Sequence, residues 1–227
     1  MKISYRAMLP CLVVVVFCFS GRSYSQEAVT PEAALTRLKE GNARFAADKA
    51  STRDVGKKRR EELAKGQNPF AVVLTCADSR LAPELIFDQG LGDVFVVRVA
   101  GNVTDPAILG SIEYAVEHLK TPLVVVLGHE SCGAVKAVLD KGHAEGNLED
   151  LLKRVKVGDD LPQDKEAALA AAIKNNVIHQ TGQLTRQSTL LKDFVDNKRV
   201  RLAAGTYSLK TGEVAWLDLS EKKDTPK

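Results

Sequence analysis

Two short segments of the sequence place metal-ligating side chains directly after apolar runs. Residues 76–80 read CADSR and residues 129–133 read HESCG. Cysteine sulfur and histidine nitrogen suit zinc, and three protein ligands leave a fourth position open, as a catalytic metal requires. The residue types and their spacing therefore favour a zinc site formed by Cys76, His129 and Cys132.

Two other interpretations of the cysteines stay open at this point. Cys76 and Cys132 could form a disulfide, which is common in exported proteins. A cysteine at the end of a strand can also be a small buried hydrophobic residue. Neither interpretation explains why Asp78, Arg80 and His129 occur in the same two segments.

The apolar runs before these segments predict buried strands. Residues 70–75, 94–97 and 123–127 are short, continuous and rich in β-branched side chains, which is typical of strands buried on both faces of a parallel sheet. Open α/β sheets bind their ligands at the carboxyl ends of the strands. This arrangement would bring residues 76–80 and 129–133 to the same edge of the sheet.

Helices are predicted between and after these strands. Residues 105–119 and 134–141 have the pattern of crossover helices, and residues 162–197 contain one or two more. Residues 200–219 alternate in polarity and turn at 210–212, which predicts a hairpin. The fold class is therefore α/β, with a central, mostly parallel β-sheet flanked by helices, an N-terminal helical arm and a C-terminal hairpin.

The helical arm is predicted over residues 26–65, before a zinc-binding α/β catalytic domain at 66–227. Residues 31–47 have helical spacing after Thr30, a suitable N-cap, and residues 52–65 are charged enough to predict an exposed helix. This charged neighbour offers little cover for the apolar face of the first helix. We therefore expect that face to pack across a subunit boundary.

Residues 1–25 predict a secretory signal peptide. Lys2 and Arg6 precede an apolar stretch at 9–19, and small residues stand before a cleavage site at Gln26. The stretch is shorter than the roughly 20 residues that span a bilayer. We therefore expect an exported protein, periplasmic or secreted, with no stable membrane anchor after cleavage.

The charge of the mature chain argues against a nucleic-acid partner. The signal segment contains Lys2, Arg6 and Arg22 and no acidic residue, so its removal takes the formal net charge from +3 to zero. Nucleic-acid binding requires a basic surface, which a neutral chain does not predict.

Residues 76–80 and 129–133, with the separation between them, resemble the two signature motifs of the β-class carbonic anhydrases. The resemblance continues through RLKEGNARF at 37–45, VVRVAGN at 96–102 and SIEYAV at 111–116, so it covers nearly all of the mature chain. It implies reversible hydration of carbon dioxide to bicarbonate and a proton, by attack of zinc-bound hydroxide. One Zn2+ per chain would be held by Cys76, His129 and Cys132.

The resemblance also implies roles for the surrounding residues. Asp78 and Arg80 would form a dyad, in which Arg80 holds the Asp78 carboxylate away from the metal and Asp78 orients the hydroxide. The implied substrate-binding residues are Gln67, Phe95, Ala100, Tyr114 and Gly133. Members of the family build this site from two subunits, so a homodimer or a higher homo-oligomer is expected.

The sequence departs from the resemblance at an inhibitory bicarbonate site that some bacterial members form from Trp, Arg and Tyr. Arg98 and Tyr207 match two of these positions, but Val73 stands where the Trp is required. We therefore expect this site not to work. Val99 is a second departure, because many bacterial members have Asn there.

Two alternatives to carbonic anhydrase activity remain. A hydrolase on the same scaffold would act on carbon disulfide or carbonyl sulfide and would share the zinc ligands. A non-catalytic zinc protein or disulfide-stapled binding protein is the other alternative. Asp78 and Arg80 argue against it, because a structural zinc site fills its fourth position with a protein ligand.

Overall fold

A computed structural model describes residues 29–51 and 53–219, and a five-stranded sheet lies at its centre. The strands run in the spatial order β2-β1-β3-β4-β5; the first four are parallel, and β5 is antiparallel to β4. Their bounds are β1 Ala71–Thr75, β2 Val94–Arg98, β3 Leu123–His129, β4 Arg201–Tyr207 and β5 Val214–Trp216. The predicted sheet and C-terminal hairpin are confirmed. The predicted signal peptide lies outside the described residues.

Helices cover both faces of the sheet. They are α1 Pro31–Ala46, α2 Lys57–Leu63, α3 Pro83–Ile86, α4 Pro106–Glu117, α5 Gly133–Leu139, α6 Asn147–Leu152, α7 Lys165–Gln187 and α8 Thr189–Asp196, with a 3-10 turn at Ala100–Asn102. The short elements α3, α6 and the 3-10 turn have too few residues to show a helical period, so the sequence did not predict them. None of the helices in the described part of the chain combines the length and apolarity that crossing a membrane would need.

Four of these helices begin at a polar residue that caps them. Thr30, Asp105, Asp164 and Ser188 each accept a hydrogen bond from the backbone N–H three residues ahead. Such a cap satisfies one of the backbone donors that a helix leaves unpaired at its first turn. The caps therefore fix the starts of α1, α4, α7 and α8.

Strands β1 and β3 are buried on both faces, as their continuous apolar runs predict. Ala71 and Val73 pack into the core on one face of the sheet, while Val72 and Leu74 pack into the core on the other. All residues of β1 and β3 are buried. A strand covered on both sides has no reason to alternate in polarity.

The premise that the apolar face of α1 lacks cover within its own chain is wrong. Ala34, Leu35 and Leu38 are buried within the same chain, where they share a core with Phe70 and Phe87. The cover is supplied by residues around α3 and by the sheet, which are distant in the sequence. Within the charged segment, residues 57–63 form the short helix α2, which contains no buried residue.

Asn42 fastens α1 to the C-terminal hairpin. Its side-chain nitrogen donates to the carbonyl oxygens of Ile86, at 3.2 Å, and Gly212, at 2.8 Å, and its oxygen accepts from the N–H of Val214 at 2.8 Å. Asn42 is buried, so these bonds satisfy polar atoms that have lost their water. Helix α1 and strand β5 are thereby held together.

Asp88 connects the N-terminal segment to the loop that follows α3. Its fully buried carboxylate accepts hydrogen bonds from Arg44 Nε at 2.7 Å and from Ser51 Oγ at 2.9 Å and backbone N–H, and Arg53 Nε lies 3.6 Å away. Burial opposes ionisation, but the bonds from Ser51 and Arg44 outweigh it and hold the pKa of Asp88 below its usual value.

Replacing this carboxylate should destabilise the fold. We expect Asp88→Asn to lower the free energy of unfolding by about 2 kcal/mol in urea titrations, because the buried carboxylate accepts several hydrogen bonds that an amide cannot all replace. The lowered pKa means that the ionised form stabilises the fold above the unfolded value of about 3.9 and that this contribution is lost as the pH falls below it. The difference in the free energy of unfolding between Asp88→Asn and wild type should therefore become smaller in acid.

Asp193→Asn is the matched control, because Asp193 pairs with Arg199 at an exposed position. Its effect should stay below about 1 kcal/mol. Equal losses in the two variants would show that Asp88 contributes no more than a surface ion pair.

Candidate metal centre

The carboxyl ends of β1 and β3 form the part of the sheet where the two sequence motifs meet. The chain runs from β1 to β2 on one side and later returns to β3 on the other side, so the direction of winding changes between β1 and β3. Such a switch point leaves a crevice outside the carboxyl ends of the strands. Thr75 pairs with Leu127 in the register, so Cys76, next along, and His129, the last residue of β3, lie at the same edge.

The three predicted ligands converge at this edge. The ligand atoms of Cys76, His129 and Cys132 all lie within 4.8 Å of one another. The residues are 5%, 0% and 1% exposed. Both cysteines are free, so the disulfide that the sequence left open does not form in this structure.

The hydrogen bonding of His129 leaves one ring nitrogen for a metal. Nδ1 lies 2.9 Å from the carbonyl oxygen of Glu130, which can only accept, so Nδ1 carries the proton. Nε2 is buried and has no hydrogen-bond partner among the described residues. A buried nitrogen lone pair beside two sulfur atoms fits a soft divalent metal such as zinc.

The turn between His129 and Cys132 is held by hydrogen bonds to residues 207–209 at the end of β4. Ser131 has φ 55°, a left-handed conformation that is uncommon for residues other than glycine. The N–H of Glu130 donates to the carbonyl oxygen of Tyr207, and its carboxylate accepts from Ser208 Oγ and from the N–H of Leu209. The motif includes Glu130, but sequence reasoning assigned it no role.

Cys76 is supported by a buried polar network from α7. The N–H of Gly101 lies 3.4 Å from Cys76 Sγ, and Gly101 has φ 68°, which favours glycine. Asn176 donates to the carbonyl oxygen of Gly101 at 2.8 Å, and Gln180 accepts from the N–H and hydroxyl of Thr104. Sequence reasoning missed this network. The signal was a pair of amide side chains four residues apart on the buried face of a helix.

The two cysteine sulfurs share a hydrogen bond that shifts their ionisation in opposite directions. The bond from Cys132 lowers the pKa of Cys76, with help from His129 and the N–H of Gly101 and against the burial that favours the neutral thiol. The same bond, together with burial, raises the pKa of Cys132. The lowered pKa of Cys76 favours its thiolate, which is the form of cysteine that binds a metal cation.

Asp78 and Arg80 form a two-pronged ion pair next to the cysteines. Arg80 Nε donates to Asp78 Oδ1 at 2.8 Å and Nη2 donates to Oδ2 at 2.7 Å, while the Arg80 N–H also donates to Oδ1. These bonds hold the pKa of Asp78 well below its usual range. Oδ2 lies 3.9 Å from His129 Nε2, so the carboxylate borders the metal site without entering it. Residues 76–80 follow the end of β1 at Thr75, so the loop places Cys76, Asp78 and Arg80 next to one another.

Two of the five predicted substrate-binding residues lie at this edge. Gly133 is the exposed first residue of α5, directly after Cys132. Ala100 begins the 3-10 turn and precedes Gly101, whose N–H contacts Cys76 Sγ. Both residues are therefore placed where a small molecule could meet the centre.

The other three, Gln67, Phe95 and Tyr114, are not brought to the centre of their own chain. Gln67 is exposed and lies before the amino end of β1, whereas Cys76 follows the carboxyl end. The five residues of β1 separate the two ends by about 16 Å, at roughly 3.3 Å per residue. Phe95 lies three residues before the carboxyl end of β2 and its ring contacts Tyr114, with centroids 6.4 Å apart. Tyr114 is 48% exposed on α4.

The residues matched to the inhibitory site have separate contacts. Val73 is fully buried in the core, and Tyr207 is buried at the end of β4. Arg98 donates from Nε to the carbonyl oxygen of Cys76 at 3.2 Å and from Nη2 to that of Asp78 at 2.7 Å. Val99 packs between two core clusters, which accounts for an apolar residue at that position.

Comparisons with known sequences match this chain to carbonic anhydrases. A family model described as carbonic anhydrase matches residues 71–214. The chain is 44% identical over 189 residues to a carbonic anhydrase of Mycolicibacterium smegmatis, covering 81% of this chain and 92% of the relative. It is 42% identical over 193 residues to carbonic anhydrase 2 of Mycobacterium tuberculosis, covering 83% and 93%.

The fold agrees with solved structures as well. The chain superposes on a tetrameric β-carbonic anhydrase of Sordaria macrospora with a TM-score of 0.66 and 26% identity, covering 78% of this chain and 93% of that one. The β-carbonic anhydrase CcaA gives a TM-score of 0.65 with 27% identity, covering 81% and 95%.

Proposed function

The chain belongs to the β-class carbonic anhydrase family, and on that premise we propose that it catalyses the zinc-dependent, reversible hydration of carbon dioxide to bicarbonate and a proton. The observation that carries the proposal is the buried His129 Nε2, which lacks a partner among the described residues and lies with two free cysteine sulfurs within 4.8 Å. Carbon dioxide is small and apolar, so it needs little more than an open position beside such a centre.

Cys76, His129 and Cys132 would hold one zinc ion per chain. When bound, zinc supplies a Lewis acid that lowers the pKa of water and so provides hydroxide near neutral pH. Two thiolates balance the charge of the ion, whereas three neutral histidines would not. The attacking water should therefore be less acidic than at a three-histidine site, with faster reaction in mildly alkaline solution.

Asp78 and Arg80 would orient the attacking water. An ionised carboxylate can only accept hydrogen bonds, so the water must donate a hydrogen to Asp78 and turn a lone pair toward carbon dioxide. The fork of Arg80 holds both carboxylate oxygens and prevents the carboxylate from taking the open position itself. Ala100 and Gly133 would border the space for the substrate.

Measurements of metal content and activity should distinguish residues that bind zinc from residues that orient the attacking water. We expect the wild-type protein to contain about one zinc per chain and two reduced cysteines by mass spectrometry, and to accelerate hydration of carbon dioxide in stopped-flow assays. Cys76→Ser should lose zinc and activity together, because it removes a ligand. Asp78→Asn should keep the zinc but lose activity by roughly 100-fold, because the amide also donates hydrogen bonds.

Active wild-type protein with an oxidised Cys76–Cys132 pair would contradict the metal assignment. Parallel assays with carbonyl sulfide and carbon disulfide test the alternative hydrolase. Turnover of those gases without hydration of carbon dioxide would replace the proposed reaction.

The inhibitory bicarbonate site is proposed not to operate in this chain. Val73 provides no indole wall and is fully buried, while the guanidinium of Arg98 already bonds two backbone carbonyls. A ligand shifts a conformational equilibrium only by its difference in affinity for the two states. A pocket with these contacts gives bicarbonate little such difference, so Asp78 stays paired with Arg80.

The pH–rate profile should therefore follow one ionisation, that of the attacking water. The rate should rise as this water loses its proton, without the steep cooperative loss below pH ~8 that closure driven by bicarbonate would add. Added bicarbonate should not steepen the curve. A steep loss on acidification that Tyr207→Phe abolishes would show that the inhibitory site works despite Val73.

The catalytic unit is proposed to be a homodimer or a higher homo-oligomer. Gln67, Phe95 and Tyr114 do not reach the centre of their own chain, but Gln67 and Tyr114 are exposed and Phe95 is half-buried, so they can contribute to the centre of a neighbour. The related enzyme of Sordaria macrospora is tetrameric. Two further exposed leucines, Leu85 and Leu91, offer apolar surface for such a contact.

A charge placed at Tyr114 should weaken this assembly. We expect Tyr114→Arg to give smaller particles in analytical ultracentrifugation and lower activity, because a buried unpaired charge is costly at an interface. Leu148→Arg is the control, since Leu148 is similarly exposed, at 53%, on α6. Wild-type protein that is monomeric and fully active would refute the shared site.

A further inference from the structure

Arg98 occupies the last position of β2, beside the end of β1. It pairs with Thr75 in the register, and its guanidinium reaches over the loop that begins at Cys76. This loop carries a metal ligand and, two residues later, the carboxylate of Asp78. It has no regular secondary structure, so its shape depends on side-chain contacts.

Two atoms of the same guanidinium hold the backbone of this loop. Nε donates to the carbonyl oxygen of Cys76 at 3.2 Å, and Nη2 donates to that of Asp78 at 2.7 Å. The carbonyl oxygen of Asp78 also accepts from the N–H of Leu81 at 3.0 Å. The guanidinium is planar and rigid, so its fork fixes the separation between the two carbonyls.

We propose that Arg98 is a positioning residue that sets the placement of Cys76 Sγ relative to the Asp78 carboxylate. The inference rests on the proposed function, because it gives these two groups their tasks. Two arginines then bind different parts of Asp78: Arg80 bonds to its carboxylate, and Arg98 bonds to its backbone carbonyl oxygen. Arg98 thus has a role that does not involve an anion pocket.

Loss of this fork should loosen the centre without removing a ligand. Cys76 would keep its sulfur, but its backbone would lose the bond that aligns it with the other two ligands. Residues that orient metal ligands typically contribute 10–100-fold to metal affinity or activity. An ammonium is a single point donor, so a lysine at this position cannot reproduce the spacing of the fork.

The test compares Arg98→Gln and Arg98→Lys with the matched control Arg201→Gln. Arg201 is the first residue of β4 and has an ion-pair contact to Glu32 at 3.7 Å, and within the described part of the chain its side chain has no hydrogen bond or ion pair to the metal loop. Zinc affinity is measured by competition with a chromogenic chelator, and kcat and KM are measured for hydration of carbon dioxide. Circular dichroism of the metal-free proteins checks that each variant is folded.

We expect both Arg98 variants to bind zinc 10–100-fold more weakly than wild type and Arg201→Gln to match wild type. At saturating zinc, kcat should still fall while KM changes little, because Asp78 is displaced from the attacking water. The Co2+-substituted variants should show altered absorption bands. Millimolar ethylguanidine should partly restore the zinc affinity of a folded Arg98→Ala variant, and ethylammonium should not.

Unchanged zinc affinity and kcat in folded Arg98→Gln and Arg98→Lys would overturn the inference. Full rescue by Arg98→Lys would also overturn it, because a charge alone would then suffice. The chelator measurement does not depend on the reaction. Wild-type protein that binds zinc but does not hydrate carbon dioxide would overturn the proposed function, while the affinities of the Arg98 variants would still decide the role of the fork.

Discussion

The parallel pairing of β1 with β3 determines where every other part of the centre must be. With Thr75 opposite Leu127, the residue after β1 and the last residue of β3 meet at one edge of the sheet. A one-residue slip in a strand turns each side chain to the opposite face. Both strands are buried on both faces by tightly packed aliphatic side chains, so a slip would also disrupt two cores. The packing that stabilises the sheet therefore also fixes the geometry of the ligands.

Around this edge, the protein places polar groups where each has a partner that limits its movement. Glu130 is tied to the hairpin, Gly101 to α7, and Asp78 to two arginines. His129 Nε2 differs from them, because it is buried and lacks such a partner among the described residues. A rigid surround that leaves a lone pair free is the arrangement expected of a preorganised ligand set.

The sequence predicted the strands and the ligands well, because both depend on local pattern. Continuous β-branched runs identify β1, β2 and β3, and the motifs at the ends of β1 and β3 identify Cys76 and His129. Contacts between segments that are distant in the sequence were harder to predict. The cover of α1 comes from residues near α3 and β5, which no local pattern connects to residues 31–46. The buried amides of α7 and the backbone contacts of Arg98 likewise depend on which loops meet them. For Gln67, Phe95 and Tyr114, the resemblance supplied a role that the geometry of a single chain does not test.

The contacts of the C-terminal hairpin have a consequence for the order in which the chain can fold. The turn next to His129 is held by Tyr207, Ser208 and Leu209, the last of these 79 residues further along, and Asn42 bonds to Val214 across a separation of 172 residues. During synthesis, neither the N-terminal helix nor the ligand turn can acquire these partners until the hairpin has emerged from the ribosome. Contacts of such long range also carry a large loop-closure entropy, which slows folding. The metal centre is therefore completed late, by a segment that is synthesised after all three ligands.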